Sequence, residues 1–554
     1  MQNKVWDVLR SPRVRFIIGG MLLFSLFAFH LFFVHQNLTT TFDDAYMFLR
    51  YAENALAGHG IAWNPDGVQT YGATSLLYLG LVIVGRGFFP FADASAILVV
   101  TSCVLGLAAL TLMVLVLGRV AVSDFFRRNF FILPVFMAVI FFLSPDYLFH
   151  ATSGMDTTLA MFCNTLVIFA ALNWVGRENT ASLLMLIAAA YASFLARPDD
   201  LIYAAVFPAL YGLFFLRANR VKKVFQFVMG LAAVLAIDTA VKYVVFGDPL
   251  PLPFYAKTAG YDDGYAGAGR WNPVAYLFDF LGLMFPFIFI AMISVSRHTR
   301  RLAAAFFIPV LVTFTYFFSV TQIMGFGARY YFPSIPFFVI GAWMLFDRRL
   351  EQVRLAVVFR NPLRIAATVV AASILFLPPV GALLEAAYER TFIATPRVYE
   401  SGFAQDFETE LPELGWWQSI DAVSAICEKL PAGTKVGLSE YGLVGARCVH
   451  IHIIDPLGLH DPFFAHNGFS STEFFNREPD LIWFPHPDYA DIVSSIQDDL
   501  RFQTNYEYYP GAFDYGIAIR KDAAAYDDIL MSVQRVWEET YPGLGLGDFR
   551  FHPP

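Results

Sequence analysis

The chain has 554 residues, of which 57% are hydrophobic and only 15% charged. Soluble globular proteins carry about 25% charged residues, so the composition excludes an ordinary soluble domain and predicts a polytopic α-helical membrane protein. The net charge of -8 argues against nucleic acid as a partner.

The first apolar run, at residues 16–34, is long enough to cross a bilayer, and no small-residue cleavage site follows it. We therefore interpret it as a membrane helix and not as a signal peptide. Ten further apolar runs bring the prediction to about 11 transmembrane helices. They lie at 94–118, 130–143, 157–175, 181–196, 201–216, 224–246, 274–295, 302–320, 331–346 and 365–384.

One further run, at 75–89, is short and contains Arg86 and three glycines. If it lies along the outer surface, nearly all Arg and Lys clusters between the spans fall on the cytoplasmic side, as the positive-inside rule requires. Counting it as a span would place them outside. We therefore predict an outer juxtamembrane helix here, a cytoplasmic N-terminus, and outer loops at 35–93, 144–156, 247–272 and 322–329.

The polar tail after residue 385 is predicted to lie outside as well, and it is long enough to form a domain. Short strand patterns at 435–438, 449–454, 481–484 and 515–520 are separated by helical patterns. We predict a transmembrane module over 1–385, with the large first loop at 35–93, and a soluble periplasmic α/β domain over 386–554.

The tail carries two of the four cysteines, Cys427 and Cys448. In this topology they face an oxidising compartment, where a disulfide could form. Because the pairing needs a geometry that sequence does not show, a Cys427–Cys448 disulfide and two buried free thiols both remain open.

An acid pair, Asp43 and Asp44, follows the first span. Adjacent carboxylates at a membrane surface are costly unless they are solvated, paired or used. We interpret the pair as a candidate for chemistry at the bilayer interface, and the alternative is a solvated acidic loop.

Two cations lie in other outer loops. Lys257 ends the proline-rich stretch 247–258, and Arg329 stands where a span begins. Such cations at the outer interface can hold a lipid phosphate, and the alternative is snorkelling to the headgroups. Asp238 and Lys242 lie four residues apart in one apolar run, where they either neutralise each other or serve a function.

The histidines and acids of the tail match no specific metal-ligand spacing, so we predict neither a metal nor a cofactor, although a divalent ion is left open. No P-loop, GxSxG, HExxH or EF-hand pattern is present. The sequence therefore gives no support to an ATPase or a lipase.

Several short motifs resemble the GT-C class of polyprenyl-phosphate-sugar-dependent glycosyltransferases, and within it the bacterial arabinofuranosyltransferases of the AftB-like type. The first loop carries the most specific block, which includes Asp43-Asp44-Ala45-Tyr46, Gly58-His59-Gly60 and Trp63-Asn64-Pro65. The remaining motifs lie at 50–54, 71–75, 153–156, 197–199, 253–257, 329–331 and 455–462.

The resemblance implies transfer of a sugar, D-arabinofuranose, from a decaprenyl- or undecaprenyl-type phosphate to a glycan, a lipid-linked glycan or a glycoprotein. The reaction would take place at the periplasmic face of a bacterial inner membrane, by a single inverting displacement. Asp43 is favoured over Asp44 as the base that takes the acceptor proton.

The remaining site residues follow from the same resemblance. Lys257, Arg329 and Arg50 would neutralise the departing phosphate, and Tyr255 would guide the lipid. The residues implied to contact the sugar or the acceptor are His59, Asn64, Tyr71, Tyr46, His460 and Asp461.

Two alternative functions remain. The first is a GT-C transferase for another sugar, such as aminoarabinose or a hexose. The second is a membrane transporter of lipids or solutes, for which internal repeats and charges near the bilayer midplane would be typical. The sequence shows no convincing repeat, and its polar candidates cluster at the outer interface.

Overall fold

A computed structural model describes residues 12–40, 42–258, 272–319, 322, 325–352 and 414–546. The α-helices up to residue 258 are α1 (Pro12–Gln36), α2 (Asp43–Leu56), α3 (Leu76–Phe88), α4 (Ala94–Val120), α5 (Asp124–Arg128), α6 (Ile132–Phe142), α7 (Pro145–Thr152), α8 (Thr157–Arg177), α9 (Thr180–Ala196), α10 (Leu201–Phe215), α11 (Arg220–Phe246) and α12 (Leu252–Thr258).

The later helices are α13 (Asn272–Ser294), α14 (Arg300–Phe317), α15 (Ile335–Gln352), α16 (Trp416–Cys427), α17 (Gly442–Arg447), α18 (Pro462–Asn467), α19 (Ser471–Asn476), α20 (Ala490–Gln497), α21 (Leu500–Asn505) and α22 (Tyr526–Thr540). The strands are β1 (Lys435–Gly437), β2 (His452–Ile454), β3 (Leu481–Trp483), β4 (Tyr506–Tyr509) and β5 (Ile517–Arg520).

The described residues form two compact units. The first, which we call the bundle unit, takes those of Met1–Thr39, Leu98–Leu235 and Trp271–Thr395. The second, which we call the loop–tail unit, takes those of Thr40–Ile97, Ala236–Arg270 and Pro396–Pro554. The domain boundary predicted at 385/386 lies outside the described residues and stays a prediction.

The bundle unit is built from helices that share one apolar core. Helix α8 packs against α9, α13 packs against α15, and α10 packs against α14. Aromatic rings fill much of this core, with Phe207 in contact with Phe306 and Phe337. Wide apolar surface also faces outward from these helices, as at Phe24, Leu115 and Met292, which is expected of helices that lie in lipid.

Six described helices are long and apolar enough to cross a membrane: Phe16–Gln36, Ala94–Val120, Thr157–Arg177, Arg220–Phe246, Pro273–Ser294 and Arg300–Phe317. The pair Ile132–Phe142 and Pro145–Thr152, bent by 80°, would make a seventh if it is one broken span. The structure therefore confirms the prediction of a polytopic helical membrane protein.

The number of full-length spans is smaller than the eleven apolar runs for three reasons. The run at 365–384 lies outside the described residues. The runs at 181–196 and 201–216 become the 17-residue α9 and the 15-residue α10, because Pro198 starts a separate 3-10 turn between them. Helix α15 ends in a charged segment that includes Asp347, Arg348 and Arg349, which lowers its mean hydropathy.

The loop–tail unit contains a five-stranded sheet in the order β2-β1-β3-β5-β4. Strand β1 pairs in parallel with β2 and β3, and β5 pairs antiparallel with β3 and β4. The predicted α/β tail is therefore confirmed, and its four predicted strands correspond to β1, β2, β3 and β5. Strand β4 was missed because its four residues, Tyr506–Tyr509, follow helix α21 without a turn signal.

Two first-loop helices also belong to this unit. The run at 75–89 forms α3, with the Ser75 hydroxyl accepting a hydrogen bond from the Tyr78 N–H at the helix start, so the predicted helix is confirmed. Helix α2 packs against it, with the rings of Phe48 and Tyr78 4.9 Å apart. The position of α3 at the membrane surface stays a prediction.

Candidate functional site

The acid pair opens helix α2, where negative charge interacts favourably with the helix dipole. Asp43 is only 5% exposed, whereas Asp44 is half-buried. Successive side chains on an α-helix point about 100° apart, so the two carboxylates face different surroundings. The two acids therefore have to be considered separately.

Asp43 binds the start of helix α17 in the tail. Its Oδ2 accepts a hydrogen bond from the Gly442 N–H at 2.8 Å, and its Oδ1 accepts one from the Leu443 N–H at 2.8 Å. A Cβ on Gly442 would lie 2.0 Å from the Asp43 carbonyl oxygen, so only glycine allows this approach. Asp43 thus caps a distant helix N-terminus, and it does so with both carboxylate oxygens.

Arg50 binds the other end of the same helix. Its Nη1 donates to the carbonyls of Gly445 at 2.9 Å and Cys448 at 3.0 Å, and its Nη2 donates to the Ile451 carbonyl at 2.9 Å. Two more hydrogen bonds run from Nε to the Trp63 carbonyl at 2.6 Å and from Nη2 to Asn64 Oδ1 at 3.0 Å.

A guanidinium group has five N–H donors, and Arg50 uses them in these five bonds to protein oxygens. The side chain is fully buried, and its burial lowers the pKa to about 10, which leaves it charged at neutral pH. In this structure all five donors of Arg50 are used within the protein, so the geometry does not support the phosphate-binding role predicted for it.

Asp43 and Arg50 lie seven residues apart and so share one face of α2. Together they bind the free N–H groups at one end of α17 and the free carbonyls at the other. We call this arrangement the α2–α17 clamp. Gly445 completes it, since a Cβ there would lie 3.0 Å from Arg50 Cδ.

Asn64 reinforces the clamp at strand β2. Its Oδ1 accepts the Ile453 N–H at 2.9 Å, and its Nδ2 donates to the Ile453 carbonyl at 3.0 Å. The side-chain amide thus pairs with the strand edge as a neighbouring backbone would. This corrects the predicted sugar-binding role of Asn64, whose amide is used in joining the first loop to the tail.

His460 lies in an aromatic layer beneath the clamp. Its ring stacks on Trp63 at 3.8 Å, and its Nδ1 lies 3.0 Å from the Tyr51 hydroxyl. Burial, followed by the charge of Arg50, holds the pKa of His460 well below its usual value. A Cβ on Gly72 would lie 2.2 Å from Nδ1, so the layer has no room for a sugar beside this nitrogen.

Two predicted tyrosine contacts are buried as well. Tyr46 donates from its hydroxyl to the Thr40 carbonyl at 2.9 Å and lies 3.0 Å from Ser95 Oγ. Tyr71 stacks on Phe246 at 5.0 Å, with the Lys242 ammonium 5.3 Å from its ring centre. Like His460, both tyrosines support the unit from inside, and the predicted sugar contacts at these residues are not available.

The loop that contains His460 is built on two acids. The Asp455 carboxylate accepts the N–H groups of Leu457 at 2.8 Å and His460 at 2.7 Å, and burial raises its pKa to about 7. Asp461 caps α18 by accepting the Phe463 N–H at 3.0 Å and forms an ion pair with Arg477. Asp461 is therefore also used by the protein, which corrects its predicted sugar contact.

The roles of four further residues stay predictions. His59 is half-buried, and Tyr255 is half-buried with its ring 4.3 Å from that of His466. The side chain of Lys257 lies outside the described residues. Arg329 belongs to the bundle unit, where it lies 3.6 Å from Asp156.

Sequence reasoning missed Glu440, which follows strand β1 and comes two residues before α17. Its Oε2 accepts a hydrogen bond from Trp416 Nε1 at 3.1 Å, and its Oε1 lies 3.3 Å from the Ser439 hydroxyl. An acid three residues after the end of a parallel strand is a usable signal, because ligands of α/β sheets bind at the carboxyl ends of strands.

Glu440, Asp43 and Asp44 share one electrostatic environment, and we call them the acid site. The pKa of Asp43 is raised to about 7 by burial and then by Glu440, with a smaller contribution from Asp44. Burial of its carboxylate, followed by the charge of Asp44, raises the pKa of Glu440. The residue as a whole is half-buried, so the packing is densest around the carboxylate. Asp43 and Glu440 therefore take up a proton more readily than isolated acids.

Aromatic rings flank the acid site. The ring of Trp417 lies 6.3 Å from that of Tyr46 and 5.7 Å from that of Trp416. Both tryptophans are half-buried, so each presents part of an apolar face outward. Carboxylates beside such faces can bind a ring that has hydroxyl groups and an apolar side.

Within the part of the chain that the structure describes, no group of three His, Cys, Asp or Glu side chains is arranged to hold a metal ion. Of the two states left open for Cys427 and Cys448, the structure contains two buried free thiols. Contact with Cys448 and then burial hold the pKa of Cys427 well above its usual value.

Comparison with known proteins gives one solved structure to report. No family model and no curated protein matches the chain. The archaeal oligosaccharyltransferase AglB from Archaeoglobus fulgidus, in complex with an inhibitory peptide and a dolichol-phosphate, is similar at 12% identity with a TM-score of 0.45. The match covers 91% of this chain and 74% of that one. The functional argument therefore depends on the residues of the site itself.

We expect Arg50→Met to lower the free energy of unfolding by about 3–5 kcal/mol, because it leaves several buried carbonyls without a donor. Denaturant unfolding of the purified chain, followed by tryptophan fluorescence, measures this. The control is Arg447→Met, which removes partly exposed ion pairs with Asp421 and Glu428 and should cost less than about 1 kcal/mol. Equal losses in the two variants would contradict the clamp.

The raised pKa of Asp43 also predicts a pH dependence. The folded state holds this proton more tightly than the unfolded state, so protonation of Asp43 stabilises the fold. This stabilisation is complete below about pH 4 and is lost as the pH rises through about 7. We expect the unfolding temperature to fall between pH 5 and pH 8, and Asp43→Asn to reduce that slope. The exposed acid variant Asp66→Asn should keep the wild-type slope, and an unfolding temperature that rises over this range would refute the assignment.

Proposed function

We propose that the chain is a membrane glycosyltransferase of the GT-C type, with Asp44 as the base that activates the acceptor hydroxyl. The observation that carries this proposal is the acid site, in which Asp44 lies half-buried beside Glu440 while Asp43 is held by α17. The membrane-spanning helices and the first-loop motifs that resemble such enzymes support the same conclusion.

We assign different roles to the two adjacent acids because Asp43 is buried against α17, whereas Asp44 is half-buried. Both oxygens of Asp43 already accept backbone N–H groups, from Gly442 and Leu443, so this carboxylate is committed to holding α17. Asp44 is more exposed and has Glu440 near it. The sequence-based preference for Asp43 as the base therefore does not fit the geometry, and we transfer that role to Asp44.

The reaction is a direct displacement. The acceptor oxygen attacks the anomeric carbon as Asp44 takes its proton, and the bond from that carbon to the lipid phosphate oxygen breaks. Glu440 lies near Asp44, and the charge of Asp44 is one of the causes that raise the pKa of Glu440. Because a phosphate is a good leaving group, no strong acid is needed on the other side, and one displacement inverts the configuration.

The half-buried faces of Trp416 and Trp417 provide a platform for the acceptor. Sugars have an apolar face of C–H groups that packs on aromatic rings, and their hydroxyl groups can donate to the carboxylates of Glu440 and Asp44. We propose that the acceptor is a glycan or a glycan-bearing molecule that lies across these two rings.

The finer assignments rest on sequence resemblance. D-Arabinofuranose is the proposed sugar, and a decaprenyl- or undecaprenyl-type phosphate is its proposed carrier. Lys257 and Arg329 remain the proposed cations for the donor phosphate, and Tyr255 remains the proposed guide for the lipid. We further propose that the protein lies in a bacterial inner membrane with its N-terminus cytoplasmic and the acid site periplasmic.

The test is transfer from synthetic polyprenyl-phosphoryl-arabinofuranose to a panel of glycan acceptors by the purified chain. We expect Asp44→Asn to lower kcat on the order of 10²–10⁴-fold without lowering the unfolding temperature. Glu440→Gln should lower kcat by a smaller factor, because it removes only the neighbour of the base.

The matched control is Asp66→Asn, an exposed first-loop acid whose replacement should leave transfer unchanged. If Asp44→Asn kept wild-type kcat, the base assignment would be wrong. If the wild type transferred no sugar from any of several polyprenyl-phosphate donors shown to be intact, the glycosyltransferase proposal itself would fail.

A further inference from the structure

The bundle unit contains a cavity of about 350 Å³ near the final turns of α4, α8 and α15. Three arginines line it: Arg119 of α4, Arg177 of α8 and Arg348 of α15. The volume lies within the range of small-ligand sites. None of these arginines takes part in the proposed sugar transfer.

The positive charge of this cavity has no acidic counterpart inside it. None of the three arginines forms an ion pair with a residue that the structure describes. The nearby acids are occupied elsewhere: Glu178 pairs with Lys223, and Asp347 accepts the N–H groups of Val122 at 2.6 Å and Ser123 at 3.1 Å. The cavity is therefore strongly electropositive.

Two of the guanidinium groups are held in place by aromatic rings. Arg119 lies 5.6 Å from the ring centre of Phe169, and Arg348 lies 5.8 Å from that of Phe215. Such cation–π contacts orient a guanidinium without using its N–H donors. The donors thus remain available to an anion.

Apart from Asn173 and Tyr211, the rest of the lining is apolar, with Val116, Leu172 and Met344 among its residues. Single arginines at the ends of membrane helices are common, since they interact favourably with the helix dipole and follow the positive-inside rule. Those rules explain each arginine alone. They do not explain why three meet around one cavity that is half apolar.

We propose that this cavity binds the phosphate of an anionic membrane lipid. Guanidinium groups bind phosphate oxygens in pairs, and basic pockets between membrane helices accept lipid headgroups. The apolar wall would take the glycerol and the first part of the acyl chains. This inference is independent of the proposed sugar transfer.

The test uses the purified, delipidated full chain in detergent with dioleoylphosphatidylglycerol as the probe. Native mass spectrometry measures bound lipid, and dioleoylphosphatidylcholine serves as the neutral comparison. We expect preferential binding of the anionic lipid. The double variant Arg119→Gln/Arg348→Gln should weaken it about 25-fold, or about fivefold for each arginine, and Arg177→Gln alone should weaken it about fivefold.

The control is Arg128→Gln/Arg349→Gln, which removes the same charge from exposed positions outside the cavity lining. Weaker binding of the anionic lipid by the cavity variants, with unchanged binding by the control, supports the site. Equal weakening in both double variants would show general attraction to a basic surface and would overturn it. A competition with millimolar inorganic phosphate tests which phosphate the cavity binds. If inorganic phosphate displaced the lipid, and the cavity showed no preference for the lipid, the site would bind free phosphate and the lipid proposal would be overturned.

Discussion

The α2–α17 clamp is the interaction on which the loop–tail unit depends. Helix α17 has only six residues, too few to be stable alone. Asp43 accepts the free N–H groups at its N-terminus, and Arg50 donates to the free carbonyls near its C-terminus, so both helix ends have partners. Since Glu440 comes two residues before α17, the position of this acid follows from the clamp as well.

The same constraint separates two acids that are adjacent in sequence. Asp43 is buried and bound to backbone N–H groups, so its replacement would mainly change the free energy of unfolding. Asp44 lies one residue further around the helix, at the half-buried edge where Glu440 and the tryptophans also lie. The contacts of Asp43 thus fix the place of Asp44, the proposed base.

Charge is handled differently at other places in the chain. In α11, Lys242 lies 2.6 Å from Asp238, so two charges in one apolar helix neutralise each other. At Glu178 and Lys223 a surface pair does the same. The three arginines around the cavity of the bundle unit have no such partner among the described residues.

The sequence alone determined the class of the protein and much of its architecture. Long apolar runs predicted the membrane helices, and short apolar runs in a polar tail predicted four of the five strands. These features depend on local composition and periodicity, which any window of the sequence contains. The acid pair and helix α3 were found in the same way.

Only the tertiary structure decided which polar residues the protein uses for itself. Arg50, Asn64, His460 and Asp461 were interpreted as ligand contacts, yet each is held by protein groups. The Asp43 carboxylate meets an N–H group 399 positions away in sequence, and Arg50 meets a carbonyl 395 positions away. Whether a buried polar side chain serves the fold or a ligand depends on which backbone groups come within hydrogen-bond distance. That is set by long-range packing, which local sequence patterns do not contain.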